Sequence, residues 1–200
     1  MTMNTLPETI LRQAQLLPEG GVLSPKEFLH LGGRAAIDQA FSRLSKAGKL
    51  LRVARGAYVA PVSNRFGSRA PSPEKVIQAL AEQNGELVVP HGASSANVLG
   101  LTQQVPIREV YLTSGKTREL TLGNSVVLVK HAPRWMMALG SRPAGAAVRA
   151  LAWMGPTHAD KSLISLRRTL PDSEWQTLTA ARASLPSWMA QAIGKEAMHG

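Results

Sequence analysis

Four cationic side chains lie within ten residues of one another in the stretch KAGKLLRVARGAYVAP, residues 46–61: Lys46, Lys49, Arg52 and Arg55. The wider segment 34–69 holds eight lysines and arginines and a single acid, Asp38. Lysine and arginine neutralise phosphate groups, and arginine can also pair with guanine through two hydrogen bonds. The segment therefore predicts a surface that binds a polyanionic partner.

The bulk composition agrees with such a partner. The 200-residue chain has a formal net charge of +10 and a pI of about 10.7, which is typical of proteins that bind nucleic acid. It has no cysteine, which excludes a disulfide framework, thiolate zinc ligands and a thiol nucleophile. The N-terminal residues do not have the character of a signal peptide, and no apolar run reaches 18 residues. We therefore expect a cytoplasmic protein that has no membrane contact.

Catalytic motifs are missing from the sequence. The five histidines are scattered without metal-ligand spacing, and neither a Walker A sequence nor GxGxxG occurs. The acids are too sparse for a two-metal site. We therefore expect no enzyme activity, no metal and no cofactor.

The most enzyme-like string is VPHGASSANVLGL, residues 89–101. His91 could form a pair with Ser94 or Ser95, but an orienting acid is not nearby and G-x-S-x-G is absent. We interpret the string as a strand, a turn at His91-Gly92 and a helix of small residues. A nucleic-acid-modifying enzyme that uses these three residues remains the catalytic alternative.

The elements that must position the cations follow from local patterns. Helical spacing predicts a first helix over 5–17, and Ser24-Pro25 with Glu27 predicts a second, capped helix. A third helix is expected from Arg34 to Ala47, followed by a β-hairpin of 50–54 and 57–60 around Arg55-Gly56. This order is that of a winged helix-turn-helix.

The third helix has two contrasting faces. Its apolar face carries Ile37, Ala40, Phe41 and Leu44, which predicts burial. On the opposite face, Ala35, Gln39 and Ser42 are the candidates for base contact. Arg43, on the same face, could address guanine or a phosphate. Lys46 and Lys49 suit phosphates, and Arg52 and Arg55 lie on the predicted wing, where Arg55 could enter a minor groove.

Residues 61–73 are polar and rich in proline, which predicts a linker. We therefore expect a winged helix-turn-helix domain over 1–62, a linker over 63–73 and a second domain over 74–200. In the second domain, short strands are expected at 86–90, 108–114, 118–123 and 125–131. Helices are expected at 74–84, 93–100, 144–154, 159–169, 172–183 and 187–197. The fold class is α+β.

Three blocks resemble the AbiEi-type antitoxin family of type IV, abortive-infection toxin–antitoxin systems, in its short branch once described as a domain of unknown function. The blocks are RAAIDQAFSRLSKAGKLLRVARGAYVAP, VVPHGASSANVLGLTQQVP and VYLTSGKTREL, and the resemblance covers about residues 5–195. It adds Arg34 to the DNA-contacting positions and implies structural roles for Gly56 and Tyr58. Gly32-Gly33 departs from the pattern, since a polar cap is expected before Arg34.

The resemblance implies a promoter-binding autorepressor that recognises inverted repeats in double-stranded DNA. It also implies that the second domain counters a nucleotidyltransferase-like toxin without a stable complex between the two proteins. The alternatives are a general winged-helix regulator and a protein-interaction module whose basic face meets an acidic protein. The sequence leaves open the operator, the choice between monomer and homodimer, and the way in which the toxin is neutralised.

Overall fold

The computed structural model describes residues 5–65 and 67–199, so Met1–Asn4, Phe66 and Gly200, which fall in the predicted domains and linker, lie outside the described residues. The fold is mixed α+β, as the sequence predicts. The chain forms two compact units. The first holds the chain up to Glu86 together with Arg118–Val127, and the second holds Leu87–Thr117 together with the chain from Leu128 onward.

The elements follow the predicted order closely. The α-helices are α1 (Leu6–Leu16), α2 (Arg34–Lys46), α3 (Pro73–Asn84), α4 (Gly92–Val98), α5 (Arg134–Met137), α6 (Pro143–Met154), α7 (Ala159–Thr169), α8 (Asp172–Ala180) and α9 (Ser187–His199). The strands are β1 (Val22–Leu23), β2 (Leu51–Ala54), β3 (Ala57–Val59), β4 (Val62–Asn64), β5 (Gly67–Arg69), β6 (Val88–Pro90), β7 (Val110–Thr113), β8 (Arg118–Leu122) and β9 (Ser125–His131). The 3₁₀ helices are Pro25–Leu31, Pro156–His158 and Ala181–Ser184.

The second predicted helix is a 3₁₀ helix that begins as the sequence indicates. The Ser24 hydroxyl accepts a hydrogen bond from the Lys26 N–H at 3.4 Å, and the Glu27 carboxylate accepts one from the Ser24 N–H at 3.2 Å. These contacts satisfy N–H groups that the helix start leaves without partners. The short strand β1, which the sequence did not predict, pairs with β3, and β3 pairs with β2, both antiparallel.

The apolar face of α2 packs into the core of the first unit, as predicted. Ile37, Ala40, Phe41 and Leu44 are all buried. The Phe41 ring lies 5.5 Å from the Phe28 ring and 4.8 Å from the Tyr58 ring, measured between centroids. This aromatic cluster holds the 3₁₀ helix, α2 and β3 together, so it fixes where the hairpin lies relative to α2.

The predicted domain boundaries differ from the units of the structure. The segment expected to be a linker contains the antiparallel hairpin β4–β5, and α3 packs within the first unit rather than opening a second domain. The Gln83 side chain donates to the Val22 carbonyl at 2.8 Å. Lys75 contacts Glu19 at 2.6 Å. Local composition predicts a linker over 61–73, because contacts between residues so far apart in sequence are not visible in it.

In the second unit, β6 runs antiparallel to β7, and β7 runs parallel to the end of β9, with Val110 beside Leu128 and Thr113 beside His131. The helices α6 to α9 surround an apolar core that includes Leu151, Leu163 and Leu178. The predicted helix 172–183 is α8 followed by a 3₁₀ turn. The short helix α5 was not predicted, because four residues are too few to show a helical period.

Candidate nucleic-acid interface

A cleft of about 540 Å³ lies between α2 and the β2–β3 hairpin of the first unit. Four of the predicted cations line it: Arg34, Lys46, Arg52 and Arg55. The rest of its lining includes the hydroxyl-bearing residues Ser42, Ser45 and Tyr58 and one acid, Asp38. The cleft therefore combines positive charge with hydrogen-bond donors, as a surface for phosphate groups requires.

One wall of the cleft is a single face of α2. Arg34, Asp38 and Ser42 are spaced by four residues, so they lie one above the other along the helix. Lys46 extends the same row by one further turn. These four side chains are exposed because the opposite face of α2 is buried in the core.

The hairpin forms the other wall. Arg52 lies opposite Tyr58 in the register of β2 and β3, and Arg55 precedes the turn glycine, Gly56. Gly56 has φ of +73°, a left-handed conformation that glycine adopts without a steric penalty. Tyr58 is 8 % exposed, and its contact with Phe41 anchors this wall to α2.

The charges of the cleft are only partly compensated. The Arg34 guanidinium contacts the Asp38 carboxylate at 2.8 Å, and both side chains are about half exposed. Lys46, Arg52 and Arg55 make no ion pair within the described part of the chain. Three positive charges are therefore available to an anionic ligand, and the Arg34 guanidinium would have to be shared with Asp38 or released from it.

The remaining predicted contact residues lie outside the cleft lining. Gln39 and Arg43 are exposed on the adjoining face of α2, and Lys49 is exposed in the turn after that helix. Ser45 lines the cleft as well, although it is not among the predicted contact residues. Its position, three residues after Ser42, places it on the same helix face.

The His91 region forms a helix cap. The Nδ1 atom of His91 accepts a hydrogen bond from the Ala93 N–H at 3.2 Å. Burial, with a smaller contribution from the charge of Lys130, lowers the pKa of His91. The Ser95 hydroxyl is buried and has no hydrogen-bond partner within the described residues. The strand and the helix of small residues are present as the sequence predicts, but no turn separates them: His91 caps α4, which begins at Gly92.

Neither a metal cluster nor a membrane-spanning helix is found among the described residues. Within residues 5–65 and 67–199, no three histidine or acidic side chains are close enough together to hold a metal ion. In the same residues, none of the helices has the length and apolar character that crossing a membrane requires.

The chain is thus a mixed α+β protein of two compact units, with a cationic cleft in the first. Residues 9–173 match a family of unknown function, DUF6088, and the chain belongs to that family. Comparison with curated proteins and with solved structures gave no match.

Proposed function

We propose that the first unit is a winged helix-turn-helix that binds double-stranded DNA, and that the protein is a transcriptional repressor. The observation that carries this proposal is the meeting of four cations from two different elements in one cleft, with α2 exposed along its polar face. The 3₁₀ helix Pro25–Leu31 takes the role of the first helix of the helix-turn-helix, and α2 that of the recognition helix. The β2–β3 hairpin is the wing.

The exposed face of α2 suits the major groove. The helix has 13 residues and a length of about 20 Å, and its outer face carries Gln39, Ser42 and Arg43. Gln39 can pair with adenine through its amide, and Arg43 with guanine or a phosphate. These side chains read sequence, because base edges differ in their donors and acceptors.

The cleft suits the sugar–phosphate backbone. Lys46, Arg52 and Arg55 form no ion pair in the described structure. Phosphate contacts orient a protein on the duplex without reading sequence. Arg34 joins them when its guanidinium leaves Asp38. An exposed i,i+4 ion pair contributes only about 0.3–0.5 kcal/mol, so a phosphate can displace it.

The antitoxin role rests on the resemblance of the three sequence blocks to AbiEi-type antitoxins. In this proposal the protein represses its own promoter through the first unit, and the second unit counters a nucleotidyltransferase-like toxin. The test is co-expression with a neighbouring nucleotidyltransferase-like reading frame. Restored growth supports the role, and unchanged toxicity at equal antitoxin levels contradicts it.

DNA binding is tested by fluorescence anisotropy with a labelled duplex from the region upstream of the gene. With six or more phosphate contacts, affinity should fall by about 10³-fold or more between 50 and 200 mM salt. The double variant Lys46→Ala with Arg52→Ala should bind more weakly at 50 mM salt. Its slope of log affinity against log salt should be shallower by about 2, since each phosphate contact contributes about 0.9.

The matched control is Lys161→Ala with Arg168→Ala, which removes the same charge from the exposed side of α7 in the second unit. It should leave affinity and slope near those of the unchanged protein. Equal losses in the two double variants would show that net charge alone drives binding. Absence of binding at 50 mM salt would contradict the proposal and favour the protein-interaction alternative.

A further inference from the structure

A second, chemically different groove lies in the second unit. It has a volume of about 530 Å³, and the loop that follows α4 forms much of its lining through Val105, Pro106, Ile107 and Arg108. Trp153, near the end of α6, completes it. The cationic cleft of the first unit shares no residue with this groove.

The groove exposes apolar side chains that folding would normally bury. Ile107 is 102 % exposed, Val105 75 % and Trp153 39 %. Single exposed apolar residues are common, but several gathered in one concave surface mark a site of interaction.

The groove is also held in shape by its surroundings. The Asn97 side chain of α4 donates to the Thr102 carbonyl at 3.4 Å and to the Gln104 carbonyl at 3.2 Å, which anchors the start of the loop. The base of Trp153 is fixed where α4 meets α6, because a Cβ placed on Gly92 would lie 2.8 Å from the Trp153 Cβ. The position from which the indole leaves the helix is therefore set by the packing of α4 on α6.

The charge of the lining selects the occupant. Arg108 is the one charged residue among those that line the groove, it is exposed, and it has no ion pair within the described residues. Tryptophan and arginine are the residue types most enriched among the energetically dominant contacts of protein interfaces. An apolar surface beside an uncompensated guanidinium complements an apolar segment that carries a carboxylate.

We propose that this groove docks a segment of a partner protein that presents a large aliphatic or aromatic side chain next to an aspartate or glutamate. The apolar side chain packs on Trp153 and Ile107, and the carboxylate pairs with Arg108. This proposal does not rest on the proposed DNA binding by the first unit.

The test pans a library of random dodecapeptides displayed on phage against the full chain at 150 mM salt, with an unlabelled duplex in excess. Enriched peptides should pair apolar residues with Asp or Glu. Synthetic copies, measured by fluorescence anisotropy, should lose at least about tenfold in affinity on Ile107→Ser and on Arg108→Glu. A synthetic peptide with Lys in place of its Asp or Glu should bind the Arg108→Glu variant more tightly than it binds the unchanged protein.

Two controls separate this groove from other surfaces. Ile164→Ser removes an exposed apolar side chain of α7 outside the groove and should leave affinity unchanged. The double variant Lys46→Ala with Arg52→Ala should also leave the peptide affinity unchanged. A loss of affinity in this variant would show that the acidic peptide binds the cationic cleft and not the groove. Because the Ile107 side chain is fully exposed, its replacement should not disturb folding.

The proposal is overturned if no peptide is enriched, if the enriched peptides are basic, or if they bind Ile107→Ser as well as the unchanged protein. It is also overturned if sedimentation shows a dimer that Ile107→Ser converts to a monomer, since a second copy of the chain would then cover the groove.

Discussion

At the scale of single residues, Glu19 joins distant parts of the first unit. Its carboxylate accepts hydrogen bonds from Lys75 at 2.6 Å, from the Ser72 N–H at 3.1 Å and from Arg69 at 3.2 Å. These contacts connect the segment after α1 with β5 and with the start of α3. The Lys75 contact, followed by that of the Ser72 N–H, lowers the pKa of Glu19 to about 2.

Replacing Glu19 should therefore change stability in a defined pH range. Because the pKa of Glu19 is depressed by folding, its contribution is complete above the unfolded value of about 4.5 and is lost as pH falls through about 2. Glu19→Gln should lower the urea midpoint at pH 7, and its deficit relative to the unchanged protein should shrink between pH 4.5 and 2. Urea unfolding followed by circular dichroism across this range measures the effect.

The matched control is Glu119→Gln, which neutralises an exposed carboxylate of the same unit and should leave the urea midpoint almost unchanged. A deficit of Glu19→Gln that stays constant from pH 7 to pH 2 would contradict the assigned role of the charge.

Gln39 provides a residue-scale test of the division between base and phosphate contacts. Gln39→Ala should reduce the preference for the upstream duplex over a duplex of scrambled sequence by about 1–3 kcal/mol, while the slope of log affinity against log salt stays the same.

Arg55→Ala should weaken binding to both duplexes and make this slope shallower by about 1. Competition titrations at two salt concentrations distinguish these outcomes. If Gln39→Ala weakened both duplexes equally, the residue would not read bases.

At the scale of elements, the cleft depends on the aromatic cluster of Phe28, Phe41 and Tyr58. Phe41 is completely buried, so Phe41→Ala should lower the free energy of unfolding by about 3–5 kcal/mol. Urea unfolding measures this loss. The more conservative Phe41→Leu should cost less and keep more of the DNA affinity, because a branched side chain still separates α2 from β3. If the two variants were equally stable, the cavity left by Phe41→Ala would have to be filled by neighbouring side chains with no loss of unfolding free energy.

The close packing of α4 on α6 requires a glycine at position 92. A Cβ on Gly92 would collide with the Arg149 carbonyl oxygen and approach the Trp153 Cβ to 2.8 Å. Gly92→Ala should therefore destabilise the protein by about 1–3 kcal/mol or more.

Gly194→Ala is the control, and it should raise the free energy of unfolding instead of lowering it. Its Cβ would meet only the Arg182 side chain at 3.6 Å, and alanine inside a helix should stabilise by about 0.5–1 kcal/mol. Thermal unfolding compares the two variants, and a neutral Gly92→Ala would contradict the close approach.

At the scale of the whole molecule, the position of α3 gives a prediction about the predicted linker. A protease site inserted after Asn64 should, when cut in the full chain, leave the two pieces associated. Helix α3 contacts Glu19 through Lys75 and Val22 through Gln83, so it holds the N-terminal piece. Size-exclusion chromatography at moderate salt should show a single peak of unchanged elution volume. Separation of the pieces would favour a true linker between independent domains.

Local patterns predicted most of the elements. Helix α2, the capped start at Ser24 and the turn at Gly56 each depend on residues within about four positions of one another, and such signals are visible in sequence. The hairpin β4–β5 is not predictable in this way, because its residues, apart from Val62, lack the alternation of apolar and polar side chains that marks a half-buried strand. All of β5 is exposed.

The candidate site was predictable in part for the same reason. The cations of α2 and of the hairpin were identified individually from charge and helical spacing. Their convergence on one cleft, and the contact between Arg34 and Asp38, depend on where the hairpin packs. The groove at Trp153 had no sequence signal, since Trp153 lies 46 positions from Ile107 in the chain.

The sequence by itself determined the charge, the order of the elements and the buried face of α2, because these follow from residue type and from spacing along the chain. Only the tertiary structure decided that Glu19 meets Lys75, that Tyr58 packs on Phe41 and that α3 belongs to the first unit. The physical reason is distance along the chain. Contacts between remote residues arise from the packing of whole elements, and that packing depends on shape and burial summed over many side chains.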